Sequence, residues 1–393
     1  MEHASTGTDK VAHFGLLTEV AAGTPMGMLL RSFWQPVADA TRLKPGGTLP
    51  VTIMGEELTL YRGESGKPYL IGGRCAHRCT VTHTGIVREE QLSCMYHGWR
   101  YDGTGQCTAM PAEKRGARPD LVKIAGYPVH EYGTLLFAWM GEGEPPPFDL
   151  PRKDILEDPK RHLFLFHEVW DCHWLQQIEN SLDAAHVSFA HVWGRMSRFG
   201  EEITTTAPDL SYTETSAGIL QVATRSAKNV RKSDWTFPNN NHVVVPGPKK
   251  GDPWSHVVVW GVPIDQTRTL RFTLISSEPG DDALERELKL DYQPAEHQRE
   301  LFIERNIPPL GSTQFLSVQD YVAVRGQGVV VDRSQEHLAQ TDMGIVLLRR
   351  ILFRELECIQ QGRPTKRWTK LAVTEDMPIS VPELAPAPAP APA

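Results

Sequence analysis

Between residues 49 and 73 the chain alternates apolar and polar positions, in LPVTIMGEELTLYRG and PYLIGG, with glycine and proline turns between the runs. Alternation with a period of two predicts half-buried strands, and short strands broken by turns predict a small antiparallel all-β domain. Farther along the pattern mixes. Residues 171–191 carry helical spacing, residues 203–275 give strand-like runs (HVVVPG, HVVVWGVPI, TRTLRFTLIS), and residues 283–306 and 342–361 turn helical again. The last helix is well delimited. Asp342 stands at its N-cap, Ile345, Leu348, Leu352, Leu356 and Ile359 form an apolar stripe, and Gly362 and Pro364 lie beyond its end. Residues 141–152, GEGEPPPFDLPR, suit neither helix nor strand and read as a linker, which places a domain boundary there. The chain therefore reads as α+β, and its end, APAPAPAPA, as low-complexity coil.

Composition leaves room for this division: 393 residues, 40% hydrophobic and 23% charged, can bury more than one core. The formal charge is -7 and the Lys and Arg residues are scattered, so no phosphate-tracking surface is expected and nucleic acid is an unsuitable partner. The first thirty residues lack a basic stretch followed by a compact apolar one, and apolar runs such as Leu135 to Met140 are too short to cross a bilayer. A cytoplasmic protein is the expectation. Six cysteines in a chain of this length make no disulfide framework and point to reduced thiols or metal thiolates. No GxGxxG and no Walker loop occurs, so no nicotinamide, flavin or nucleotide is expected to be held.

The stretch CAHRCTVTHTGIVREEQLSCMYHGWR carries the first candidate chemistry. Cys75-x-His77 is followed by sixteen residues and then Cys94-x-x-His97. Zinc accepts two thiolates and two imidazoles, but zinc loops usually pair Cys with Cys at the first knuckle. One Cys and one His from each loop fits a [2Fe–2S] cluster of the Rieske type, in which one iron takes both cysteines and the other both histidines. Neutral imidazoles in place of thiolates raise the cluster's potential and make it a ready electron acceptor. Cys79 in the first loop faces Met95 and Tyr96 in the second; without a partner it reads as a buried, inert thiol.

A second candidate lies in WLQQIENSLDAAHVSFAH. On an ideal helix His186 and His191 stand about 140° apart, too far for one metal, so a distortion is expected at VSFA. Two histidines and one carboxylate make the facial triad of non-haem Fe(II) oxygenases.

The two motifs together resemble the terminal oxygenase alpha subunit of Rieske non-haem iron aromatic ring-hydroxylating oxygenases, in the phthalate dioxygenase-like branch. The segment Asp183-Ala-Ala-His186-Val-Ser-Phe-Ala-His191, preceded by Glu179 and Asn180, is similar to that family's iron-binding segment, and the likeness runs from GMLLRSFWQPVA to QDYVAVRGQGVVVDRSQEHLAQTDMGIVLLRR. The resemblance implies an N-terminal all-β Rieske domain followed by a helix-grip (START/Bet v 1-like) catalytic domain with an antiparallel sheet and flanking helices. It implies residues 1–30 as an arm, 31–145 as the [2Fe–2S] domain, 150–375 as the catalytic mononuclear iron domain and 376–393 as a disordered tail. Cys75, His77, Cys94 and His97 are then the cluster ligands. His186, His191 and an Asp after the sheet hold the mononuclear Fe(II), Asp320 matching best and Asp291, Asp332 and Asp342 competing on distance. Asp183 and Asn180 become catalytic, Asp183 bridging His186 to a cluster histidine, most naturally His97, of a neighbouring subunit. Trimers or stacked trimers of alpha subunits are implied, with O2 and a small aromatic substrate as partners. Full reduction of O2 takes four electrons, of which an organic substrate supplies two, so the resemblance also implies a separate NAD(P)H-dependent flavin and iron–sulfur reductase.

The expected reaction is hydroxylation of an aromatic substrate, favouring an aromatic acid, with O- or N-demethylation as the alternative within the family. Arg225, Arg231 or Lys232 are the candidates to hold a carboxylate, and Trp235 and Phe237 to line the ring. Two readings of other classes make different demands. An electron carrier needs two irons per chain rather than three, and a zinc-stapled binding module is colourless.

Overall fold

The structure is a computed structural model that describes residues 14–191, 207–227, 229–245, 255–277 and 315–371. The helix expected over residues 283–306, the competing Asp291 and the Pro/Ala-rich tail lie outside the described residues. The chain divides into two units, one of Glu19–Phe148 with Val262–Gln266, the other of Asp149–Gly261 and Thr267–Ala393 with Met1–Thr18.

The first unit opens with helix α1 (Pro25–Arg31), whose N-cap Thr24 accepts from the Gly27 N–H at 3.2 Å. All its sheets are small and antiparallel. Strands β1 (Gln35–Asp39), β10 (Val129–Tyr132) and β11 (Leu135–Ala138) form one; β2 (Thr48–Ile53), β3 (Glu56–Arg62), β4 (Pro68–Gly72) and β9 (Gly126–Tyr127) form another. The β2–β3 hairpin turns on Met54 and Gly55, with φ of 49° and 76°, the left-handed pair that a tight two-residue hairpin requires. The third sheet is β5 (Ile86–Arg88), β6 (Gln91–Ser93), β7 (Arg100–Tyr101) and β8 (Cys107–Ala109). One metal-motif loop leaves β4 and the other joins β6 to β7. Both cysteines, Cys75 and Cys94, sit in a core with Tyr61, Ile71, Leu92 and Tyr101.

The second unit is built on a seven-stranded sheet. Strands β13 (Asp209–Glu214), β14 (Gly218–Ser226), β15 (Asn229–Thr236), β16 (Asn240–Val245), β17 (Ser255–Pro263) and β18 (Thr269–Ser277) follow one another in space, and β12 (His162–Trp170) returns antiparallel to β18. A two-residue period is clean at the edge, where β13 alternates exposed and half-buried positions, and disappears in β17 and β18, which are buried almost throughout. Helices α3 (Trp174–Leu182) and α4 (Val187–Ala190) lie in sequence between β12 and β13; α5 (Phe315–Gly326) and α6 (Met343–Gln360) follow the sheet, and the short α2 (Asp154–Glu157) precedes it. Helix α3 packs over β15 and β16, and α6 over β13 and β14. At Gly261 of β17 an added Cβ would meet the end of the Gln177 side chain of α3 at 2.1 Å, so a larger residue there would displace that amide.

Helix α6 falls where the apolar stripe puts it. Leu348, Leu352 and Leu356 are fully buried, and Gly362 closes the helix at φ 63°, with the Arg363 N–H donating to Cys358 O at 2.8 Å. Asp342 begins the helix without capping it: its Oδ2 accepts backwards from the Ala339 N–H at 2.7 Å.

Three expectations need correction. The catalytic domain is not assigned to a helix-grip, START/Bet v 1-like fold. Strand and helix periodicities give element types but not which elements share a face, and here the sheet's covered face carries α3 and α6 together rather than one gripping helix; the relatives described below settle its type. The break in the 171–191 helix falls before His186, not at VSFA, which is itself the helical turn α4. Cys79 is exposed rather than buried.

Candidate metal centres

The two loops of the first unit have matching backbones. Cys79 N–H donates to Cys75 O and Gly98 N–H to Cys94 O, each at 2.9 Å, and the fifth residue of each loop is left-handed, Cys79 at φ 57° and Gly98 at φ 73°. This turn brings the donors together by kind. The Cys75 and Cys94 thiols are close enough to act on each other: burial first, then the neighbouring Cys75 thiol, pushes the Cys94 thiol up. The His77 and His97 rings lie 4.4 Å apart. Sulfur faces sulfur and nitrogen faces nitrogen, as a [2Fe–2S] cluster with one all-Cys and one all-His iron demands and a mixed zinc tetrahedron does not. His77 Nδ1 is buried without a hydrogen-bond partner, a lone pair left for a metal. The ring of His77 stacks on Trp99 at 4.7 Å and 6°, which fixes its plane.

Tyr101 was not marked in the sequence. Its Oη lies 3.2 Å from Cys75 Sγ and accepts from the Ala76 N–H at 3.1 Å. Burial pushes its phenol far above the ordinary range, so the hydroxyl keeps its proton and can donate to the sulfur.

In the second unit Asp183 ends α3 with extended backbone (φ -82°, ψ 107°), and its Oδ1 accepts from the N–H groups of Ala185 at 2.7 Å and His186 at 3.3 Å. The chain therefore turns before α4 begins. His186 and His191 flank the four-residue helix at its two caps, and their rings meet at 5.2 Å despite the unfavourable spacing on a continuous helix. From α5, Asp320 Oδ1 comes within 3.3 Å of His186 Nε2 and 3.2 Å of His191 Nε2. The three donor atoms are the one such group of His, Cys, Asp or Glu within 4.8 Å of one another among the described residues. Ligands at roughly 2.1 Å from a shared ion and at right angles stand about 3 Å apart, so the spacing fits a single metal ion held on one face.

The electrostatics agree. Burial by itself would depress the His186 imidazole, but Asp183 and Asp320 outweigh it and push it up to about 10. Burial would raise Asp320, and the charges of His191 and His186 hold it well below the carboxylate range instead. The site favours positive charge, which a divalent cation supplies in place of a proton. Gln319 was missed by sequence reasoning. His191 Nδ1–H donates to its Oε1 at 2.8 Å, fixing the tautomer that leaves Nε2 for the metal. A neutral amide one residue from a carboxylate carries no spacing signal.

Of the other named residues, Asp332 caps its own turn through Ser334 and Asp342 bonds Ala339, so neither reaches the centre. Asn180 is half-buried on α3, and its carbonyl accepts from the Asp183 N–H at 3.1 Å. Glu179, beside it, is fully engaged elsewhere, by Arg333 at 3.0 Å and Arg349 at 2.6 Å.

Residues 33–130 match the family described as Rieske [2Fe-2S] domain. The chain is 30% identical to the 5,5'-dehydrodivanillate O-demethylase oxygenase subunit of Sphingobium sp. (strain NBRC 103272 / SYK-6), over 89% of this chain and 81% of that protein. It is 32% identical to the phenoxybenzoate dioxygenase subunit alpha of Ectopseudomonas oleovorans, over 88% and 85%. The chain belongs to the Rieske ring-hydroxylating oxygenases, as an alpha subunit. The terminal oxygenase of carbazole 1,9a-dioxygenase from Novosphingobium sp. KA1 superposes with a TM-score of 0.62 at 19% identity, covering 90% of this chain and 98% of that one. That likeness assigns the catalytic unit to the Rieske oxygenase fold and overturns the START/Bet v 1 expectation. A Rieske oxygenase of EC class 1.14 is the terminal component of its system: it activates O2 at the mononuclear iron, with electrons from a separate reductase, to hydroxylate an aromatic substrate. Among the described residues no helix is long and apolar enough to cross a membrane.

Proposed function

We propose that this oxygenase acts on an aromatic acid, with electrons from NAD(P)H carried by a separate flavin and iron–sulfur reductase. The observation that carries the chemistry is the convergence of Asp320 Oδ1 on the two imidazole Nε2 atoms of His186 and His191. The acid substrate is supported by the name of the phenoxybenzoate dioxygenase relative. O-demethylation is the second reading, and the name of the O-demethylase relative favours it. Both begin with oxidation at carbon near the same iron, and the pose of the substrate separates them.

In this reading residues 31–145 serve as the cluster domain and 150–375 as the catalytic domain. Cys75 and Cys94 hold one cluster iron and His77 and His97 the other, while His186, His191 and Asp320 hold the mononuclear iron. Asp183 fixes His186 through its Nδ1 and takes electrons onward from a cluster histidine, His97, of a neighbouring subunit; Asn180 is the polar residue beside it. The Asp183 Oδ2 to His186 Nδ1 separation of 3.6 Å supports the first part of that role. A cytoplasmic homotrimer, or a pair of stacked trimers, completes the proposal.

The test is metal analysis followed by O2 uptake, with a reductase and a panel of aromatic acids and methylated aromatics, and mass analysis of products. Three irons per chain, a reduced EPR signal of a histidine-ligated cluster and uptake stimulated by an acid are expected. Two irons, or oxygen consumption untouched by His186→Ala, would remove the reading.

A further inference from the structure

The covered face of the catalytic sheet is apolar along β16 and β17, where Val243, Val245, Val257 and Val259 cluster with Phe166. At one side of this wall three polar residues share the same face. Trp235 of β15 lies opposite Asn241 of β16, and Ser233 and Arg231 follow Trp235 at alternate positions, so all of them project to one side. That side is the one turned toward the iron-binding segment. Gln221 of β14, paired with Ser233, donates its amide to Leu182 O, one residue before Asp183.

These residues are buried and under-used. Arg231 is 5% exposed, Ser233 3% and Asn241 1%; Arg231 Nε, Ser233 Oγ and both amide atoms of Asn241 have no hydrogen-bond partner. Among the described residues Arg231 has no ion pair. A buried guanidinium without a carboxylate is expensive to maintain, and several orphaned polar atoms on an otherwise apolar wall mark a surface that awaits a polar ligand. Burial first, then the charge of Arg225, lowers Arg231 to about 10, so it remains cationic at neutral pH.

The other sequence candidates are excluded by position. Lys232 points to the opposite face of β15, Arg225 already binds Ala184 O and Ser188 Oγ at 3.4 and 3.3 Å, and Phe237 stacks on Trp368 at 4.5 Å within the core.

We propose that Arg231, flanked by Ser233 and Asn241, is the anchor for the carboxylate of the aromatic substrate, with the ring lying along the valine wall. The assignment rests on the aromatic-acid reading and names the residues that make it. The guanidinium fork matches a carboxylate in two parallel hydrogen bonds. Asn241, with one donor and one acceptor edge, reads a further hydroxyl or ether oxygen on the ring.

The experiment measures binding, not turnover. Anaerobic enzyme, first shown to contain both metal centres, is titrated calorimetrically with benzoate, 3-phenoxybenzoate and their carboxamides. The wild type is expected to prefer acid to amide, and R231M to lose roughly 10- to 100-fold in acid affinity with little change for the amides. Without ligand R231M should melt no lower than wild type, because an uncompensated charge has been removed, and the acid-induced rise in Tm should vanish. If R231M does not fold, R231K supplies the answer: it keeps the charge and loses the fork, so acid binding weakens while acid remains preferred over amide. Absence of acid binding, or equal affinity for acid and amide, in the wild type would remove the aromatic-acid reading and the anchor with it; acid preference in the wild type with undiminished acid binding by the Arg231 variants would overturn the anchor alone. Because the metal content is verified beforehand, none of these outcomes touches the oxygenase assignment.

Discussion

Asp183 does two separable things with its two carboxylate oxygens: Oδ1 caps the turn into α4, and Oδ2 faces His186. Asp183→Asn keeps an acceptor for the cap and removes the charge. We expect it to retain both metals by iron analysis and to lose nearly all turnover. Asp183→Ala should in addition cost about 1 kcal/mol of stability for the lost cap, read by denaturant unfolding. Gln319→Leu frees the His191 tautomer and should weaken mononuclear iron binding by about 10- to 100-fold, measured by chelator competition, with the cluster's visible spectrum unchanged. At the other centre Tyr101→Phe removes a donor to Cys75 Sγ, and since hydrogen bonds to cluster sulfur raise the potential, the midpoint should fall in a redox titration.

At the scale of elements, α3 is positioned by charge as well as by packing. Glu179 lies fully inside the protein; burial alone would raise its carboxyl, and Arg333 and Arg349 hold it below the ordinary range. Arg349 also pairs with Glu336, so α3, α6 and the segment before α6 meet in one four-charge network. Removing its centre leaves two arginines uncompensated. Glu179→Ala should cost about 3–5 kcal/mol in unfolding experiments, far more than loss of an exposed pair such as Arg118–Asp120. The sequence showed Glu179 only as a neighbour of the iron segment, because partners more than 150 positions away leave no local pattern.

For the whole molecule, acid stability follows from groups whose protonation differs between folded and unfolded chains. Burial lowers His173 and His256 to about 3, so below the unfolded value of about 6.5 the unfolded state binds the extra protons and stability is lost as pH falls. Asp234, held low against its burial by Lys153 and His242, and Glu179 add a further loss below about pH 4. The expected result is a Tm that declines from about pH 6.5 downward and steepens near pH 4, followed by scanning calorimetry. His173→Gln should flatten the first part of that decline.

Local chemistry alone marked the cysteines and histidines as candidate donors. Cys75, His77, Cys94 and His97 stand at readable spacings because each pair belongs to one short loop; helix α6 is legible because burial on one face imposes a period, and strands β16 to β18 because they are short runs rich in β-branched and apolar residues. Tertiary structure decided the rest. It sorted sulfur with sulfur and nitrogen with nitrogen, moved the helix break ahead of His186, brought Asp320 across 129 positions to His191 (320 − 191), and chose Gln319 over any charged residue as its partner. It also left Arg231, of three nearby cations, buried with no ion pair among the described residues. Spacing records only neighbours along the chain, whereas a metal site and a substrate anchor are made by groups that the folded backbone brings together from distant elements.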